Sequence, residues 1–334
     1  MRFYHSGTPR NDKYQHQEDA MCEHRLFSLH GDYLKNVRKW VQNLPREQST
    51  RKYPSTLLLD SGAFTAWNAG TPTSLDAVVK SYSIILEDIE KAGAKFDEVW
   101  MINLDVIPGE RGRTASKDEI LRAFYTSDEN FEELNKRFPK QVLPVFHQNE
   151  ETIAPERLEI VADQADYICL SPRNDVAEKK RREWSMEIHQ ALHNLRPDAA
   201  THGLATTGNA MIREVPWFSV DSAAWVLHGG MAGKVDFCFE GHFGDKEPYY
   251  RNYFFAKEGG KHLEGKHHYL TVGPDIQEAM HERIERYGFT VDDLFTDSRA
   301  RSLVSMGELS RFFEKALIWQ AKQDIPIQER AFDL

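Results

Sequence analysis

The sequence predicts an α/β fold: a (β/α)8 barrel of the TIM type, with an insertion near its last strands and a helical C-terminal tail. Three observations carry this expectation. Apolar runs of strand length alternate with amphipathic segments of helix length, the pattern of successive βα units on a parallel sheet. About eight such runs can be placed, the number that closes a barrel of this kind. Several runs end in a polar residue followed by small residues, and barrel strands deliver reactive groups to one rim in that way.

The expected strands are 2–5, 56–61, 98–105, 141–147, 166–171, 201–205, 217–221 and, as the last, either 234–239 or 267–272. Leu57-Leu58-Leu59, Trp100-Met101-Ile102, Tyr167-Ile168-Cys169-Leu170 and Trp217-Phe218 supply the apolar character of their strands. Strand 141–147 contains Pro144, which has no N–H to give a ladder and is tolerated at a bulge or an edge. The expected helices are 18–44, 74–93, 117–137, 152–163, 179–195 and 275–287, with Gly93, Pro139 and Pro197 as stops. A stretch rich in Gly, Lys, His and Tyr at about 229–267 interrupts the repeat and reads as the insertion. Beyond Thr290, the residues Leu303, Leu309, Phe312, Phe313, Leu317 and Ile318 form the packing face of a helical tail. The expected domains are thus a catalytic barrel over 1–289 and a helical extension packed on it over 290–334.

At 334 residues, length alone favours neither one domain nor two. The chain is 40% hydrophobic and 28% charged without a long apolar run, which predicts a soluble globular protein with no membrane span. Met1 to Gly7 lacks the apolar core of a signal peptide. Cys22, Cys169 and Cys238 are few and far apart, which suits a reducing compartment better than a disulfide framework, so the expected location is the cytoplasm. A formal net charge of −10 counts against a simple nucleic-acid binder but leaves room for a local basic face. Lys179, Lys180, Arg181 and Arg182, the pair Arg111 and Arg113, and Arg10 with Lys13 are the candidates, with solvated helix faces as the plainer reading.

Two runs end alike, Leu57-Leu58-Leu59-Asp60-Ser61-Gly62 and Phe218-Ser219-Val220-Asp221-Ser222, and Trp100-Met101-Ile102-Asn103-Leu104-Asp105 places a third aspartate. A carboxylate at such a strand end is held by rigid backbone yet open to a cleft, as two-carboxylate chemistry on a sugar requires. Asp60, Asp105, His147, Gln148, Ser171, Gly203 and Asp221 are therefore expected to face one mouth, although only one of the neighbours His147 and Gln148 can do so. Asp-Ser-Gly also serves as an ordinary turn or cap; three strand ends together favour a site. Phe64, Trp67, Phe146 and Trp225 are candidate stacking faces for a base, against barrel core as the alternative. No metal or other cofactor is expected. Cys238 with His242, His262, His267 and His268 lacks the tight pairing of a closed zinc site, and a structural zinc there stands as the lesser alternative.

Across roughly residues 56–225, the order of these runs resembles the tRNA-guanine transglycosylase superfamily, most closely its phage DNA-modifying branch, the DpdA-type DNA-guanine transglycosylases. The resemblance implies that Asp60, in Asp60-Ser61-Gly62-Ala63-Phe64, corresponds to the family's Asp-Ser-Gly-Gly-Phe general acid/base, with Ala63 in place of the second glycine and Ser61 and Phe64 beside the base. It implies that Asp105 reads the Watson–Crick edge of guanine and that Gln148 binds the base. Ser171 stands where the family has a Gly-Gly-Leu-Ala loop, Gly203 and Leu204 fall at the stacking turn, and Asp221 matches the nucleophile. The tRNA enzymes' zinc cluster, Cys-x-Cys-x-x-Cys with a distant His, has no counterpart in this sequence. The implied activity is exchange of guanine in DNA for a pre-queuosine type 7-deazaguanine base through a covalent aspartyl intermediate. Its partners are DNA and the free base, not a membrane, and its setting is the host cytoplasm if the gene is a phage's. Alternatives are the same exchange on tRNA, a catalytically silent nucleic-acid-binding barrel of a modification complex, and a glycoside hydrolase using Asp60 and Asp221.

Overall fold

The computed structural model describes residues 1–44, 55–109, 113, 115–240, 247–255, 267–326 and 328. Nine short strands form one parallel sheet: β1 (Arg2–Ser6), β2 (His24–Ser28), β3 (Thr56–Asp60), β4 (Glu98–Ile102), β5 (Val142–Leu143), β6 (Val145–His147), β7 (Tyr167–Ser171), β8 (Ala200–Gly203) and β9 (Ser219–Ser222). Their order is β5-β4-β3-β2-β1-β9-β8-β7-β6, so the two ends of the sheet, β5 and β6, are consecutive in the chain and separated by Pro144 alone. The proline sits where the ladder changes partner, and its carbonyl still accepts the Cys169 N–H at 2.9 Å. The result is an α/β fold with a nearly closed parallel barrel sheet, compatible with a TIM-type barrel.

Strand alternation divides the side chains between two cores. Tyr4, Leu26, Leu58, Ile102, Val145 and Tyr167 pack inside the barrel. Leu57, Leu59, Met101 and Val142 point the other way, onto Trp40 and Val41 of helix Tyr33–Asn43 and Val78, Tyr82 and Ile85 of helix Leu75–Ala92. Helix Lys117–Arg137 starts at Ser116 with a capping box, Ser116 Oγ accepting from Glu119 N and the Glu119 carboxylate from Ser116 N.

Three expected elements are corrected. The segment 18–44 is not one helix: Gln15–Ala20 and Tyr33–Asn43 flank β2, which is the barrel strand that neither 234–239 nor 267–272 supplies. The run was hidden because Arg25 stands within it as its second residue, fully buried on the outer face and bonded to Glu18 at 2.6 Å. Residues 234–239 belong to β10 (Lys234–Glu240), which pairs antiparallel with β11 (Pro248–Phe254), and 267–272 holds a 3₁₀ turn at Tyr269–Thr271. Helix 152–163 is two pieces, Glu150–Ile153 and Arg157–Gln164, interrupted at Pro155.

Contacts divide the chain into two units. The barrel unit comprises Met1–Thr206, Val215–Asp221 and Ile327–Leu334; the second comprises Thr207–Glu214 and Ser222–Pro326. In the second unit the β10–β11 hairpin packs on helix Ser298–Lys322, which buries Leu303, Leu309, Phe312 and Phe313. Ile318, expected on that packing face, is 57% exposed. Of the expected insertion at 229–267, residues 241–246 and 256–266 lie outside the described residues. Among the described residues no helix is long and apolar enough to cross a membrane.

Candidate active site

The barrel unit places Asp105 and Asp221 within electrostatic reach of Asp60, and all three within reach of Cys169. Asp60 is the last residue of β3, on the same inward phase as Leu58. Its carboxyl is pushed up to about 7, first by burial and then by the charges of Asp105 and Asp221, against the Gly62 N–H and the Ser28 hydroxyl, which favour the ionised form. The turn that follows is specific. Gly62 is left-handed at φ 79°, and a Cβ there would stand 2.5 Å from His30 Cβ. Ser61 is buried, donates to the Asn103 carbonyl at 3.1 Å and accepts from Ala63 N, so it ties the turn rather than facing a ligand.

Asp105 lies beyond the end of β4, and His147 Nε2 donates to its Oδ2 at 2.9 Å. Burial alone lowers the pKa of His147, but the hydrogen bond and charge of Asp105, with Glu150 behind, outweigh it and raise the imidazole above its ordinary value. Buried Arg157 completes this arrangement, 2.7 Å from Asp128 and 3.6 Å from Glu150. Tyr82 donates to the carbonyls of Leu59 and Ile102, at 3.3 and 2.6 Å, and so ties the end of β3 to the end of β4.

Asp221, on β9, is 7% exposed and held from both sides. Ser6 Oγ donates to Oδ2 at 2.5 Å and the Ala205 N–H to Oδ1 at 2.8 Å. His202 Nε2 lies 3.4 Å from the same Oδ1. Ser6, Ser28, Tyr82 and His202 were not singled out from the sequence. Period-two alternation from Tyr4 along the expected first strand places Ser6 inward, a signal that could have found it, whereas Ser28 lies on β2, which the sequence pattern hid.

The remaining expected residues divide. Ser171 ends β7 opposite His147, on the inward phase of Tyr167 and Cys169, and Leu204 packs on the interior cluster. The Gln148 side-chain oxygen accepts from Arg173 N at 2.9 Å. Gly203 is corrected: its missing side chain would point at Thr206, Trp217 and Val220, each 3.1 Å away, hence outward and not toward the mouth. Phe146 and Trp225 are fully buried core residues, so neither is a stacking face. Phe64 is 58% exposed and lies 6.0 Å from Trp67, whose Nε1 donates to Gly109 O.

Among the basic candidates, Arg111 lies outside the described residues. Arg113 is engaged by both oxygens of Glu119, at 2.5 and 3.0 Å. Lys179 and Lys180 are exposed at the start of helix Glu178–Leu195, with Lys179 3.8 Å from Glu183 and Arg181 bonded to Asn174. Cys238 is a buried free thiol, pushed up to about 11 by burial and by Glu308. Among the described residues no cluster of three or more His, Cys, Asp or Glu side chains is arranged to hold a metal, and His242 and His262 lie outside them.

The arrangement therefore offers a carboxyl able to exchange a proton near neutral pH, a carboxylate fixed by hydrogen-bond donors, and a third acid paired with a histidine. No protein-family model matches the chain, and no curated protein matches it.

Proposed function

We propose that this chain is a (β/α)8-barrel transglycosylase, of the kind found in the DNA-modifying branch of the tRNA-guanine transglycosylase superfamily, that exchanges guanine in DNA for a 7-deazaguanine base. The observation that carries this reading is the placement of Asp60 at the end of a barrel strand in the field of Asp105 and Asp221, where burial and those charges push its carboxyl up to about 7. An acid that protonates a leaving base and then deprotonates an incoming one must titrate near its working pH.

In the first half-reaction an Asp221 oxygen attacks C1′ of the target nucleotide. The bond from C1′ to the base breaks, its electron pair leaves with the base, and Asp60 gives that base a proton. A glycosyl ester on Asp221 results. In the second half, the incoming base surrenders its proton to the Asp60 carboxylate, attacks C1′ and displaces the Asp221 oxygen, which restores both acids. Asp105 accepts from the ring N–H and exocyclic amine of guanine, and a 7-deazaguanine presents the same edge because its change lies on the opposite side. A duplex target must be flipped from the stack to be read this way. The exposed Phe64 beside Trp67 suits stacking on such a base, and Lys179 and Lys180 suit phosphates.

The test is incorporation of labelled guanine into DNA and, in parallel, into tRNA. Incorporation into DNA supports the reading, whereas incorporation into tRNA alone moves the same chemistry to the other polymer. Incorporation into neither, with free sugar released from a glycoside, replaces it by hydrolysis. Asp221→Asn is expected to abolish exchange and the trapped covalent adduct while nucleic-acid binding persists; undiminished exchange would exclude Asp221 as nucleophile.

A further inference from the structure

A line of hydrogen bonds runs through the barrel interior toward Asp221. Tyr167 Oη and Ser219 Oγ are 2.6 Å apart, and Ser219 Oγ and His202 Nδ1 are 2.7 Å apart. His202 is fully buried, its Nε2 makes no hydrogen bond, and that nitrogen stands 3.4 Å from Asp221 Oδ1. The order of the hydroxyl donors sets where the proton lies. The serine has one hydrogen: if the tyrosine hydroxyl donates to Ser219 Oγ, the serine donates to His202 Nδ1, and a neutral imidazole then carries its hydrogen on Nε2, facing the carboxylate. The opposite order leaves a bare nitrogen lone pair against a carboxylate oxygen, which is repulsive.

We propose that His202 is the positioning residue of Asp221, held as the Nε2–H tautomer by Tyr167 and Ser219, and that it closes onto Oδ1 to aim Oδ2 at the reacting carbon. Ser6 and the Ala205 N–H hold the carboxylate in the resting protein; the imidazole adds a donor from the barrel floor that strengthens as the sugar is engaged. The role rests on the reading of Asp221 as nucleophile, and its test separates the two.

The experiment pairs ¹⁵N-histidine NMR of the full chain with single-turnover base exchange. The His202 resonance is assigned by its loss in His202→Gln. The expected spectrum has the proton on Nε2, moves to the other tautomer or to a mixture in Ser219→Ala, and shifts at Hε2 in Asp221→Asn. A proton on Nδ1 in the wild type, or no response to Asp221→Asn, would overturn the inference. In exchange, His202→Phe is expected to lower the single-turnover rate roughly 10- to 100-fold, the range of one hydrogen bond to a charged group, with KM for the free base unchanged. His202→Gln, whose amide reaches the Nε2 position, should recover most of it. Equal rates for Phe and Gln, or a His202→Phe protein as fast as the wild type, would also overturn it. A wild-type protein that exchanges no base on either polymer defeats the proposed function, while the spectrum still decides the tautomer and its coupling to Asp221.

Discussion

Replacing Asp60 by asparagine should make the protein more stable at neutral pH while destroying its proposed chemistry. The carboxyl rises from the ordinary 3.8 to about 7, chiefly through burial. In that window the folded protein keeps a proton that the unfolded chain has released, so wild-type stability falls as pH climbs from about 4 to about 7. A shift of a little over three units corresponds to about 4 kcal/mol at full ionisation, an upper figure for a group that retains some contact with solvent. Asparagine keeps the shape and carries no charge to bury. Urea unfolding of the two proteins from pH 4 to pH 8 should therefore give curves that coincide at the acid end and separate by up to about 4 kcal/mol at pH 8, with Asp60→Asn the more stable. A wild type equally or more stable at pH 8 would refute the argument that burial and the neighbouring acids hold Asp60 protonated. Coincident curves across the range would refute it too.

Gly62→Ala should lower the urea midpoint by the equivalent of about 1–3 kcal/mol, since alanine meets both a left-handed backbone and His30 Cβ, and exchange should fall with it because Asp60 rides on that turn. Arg25→Met should cost about 3–5 kcal/mol in the same assay by leaving Glu18 and Asp19 buried without their counter-charge. Arg113→Ala should leave the salt dependence of nucleic-acid binding unchanged, because Glu119 already occupies that guanidinium. Lys179→Ala with Lys180→Ala should instead reduce the slope of log K against log salt by about 1 to 2.

The parts of this molecule that could be read in advance are those where hydrophobicity changes abruptly. Asp60 and Asp221 close apolar runs and Asp105 follows one, and each lies where a strand end or the loop after it positions it. Pro144 was expected at an edge or bulge and lies where both ends of the sheet meet. β2 escaped notice because a buried arginine broke its apolar signal, the ion pair with Glu18 replacing the usual aliphatic residue on the outer face. His202 escaped for a related reason. A histidine one residue before a glycine at a strand end carries no mark of direction, and only the register, in which Cys169 faces His202, sets it inward and Gly203 outward. Ser6 donates to an acid 215 positions away, a pairing that no local pattern encodes.

The junction at Pro144 also bears on how this protein behaves when crowded. A parallel sheet that stopped at two separate strands would present unpaired amides on both flanks, ready to recruit strands from other copies. Here the terminal strands are halves of one short segment, each already paired inward, and the residue between them has no amide hydrogen to offer. This sheet therefore leaves little margin for a neighbouring chain to extend, and self-association through it should first require pulling that segment open.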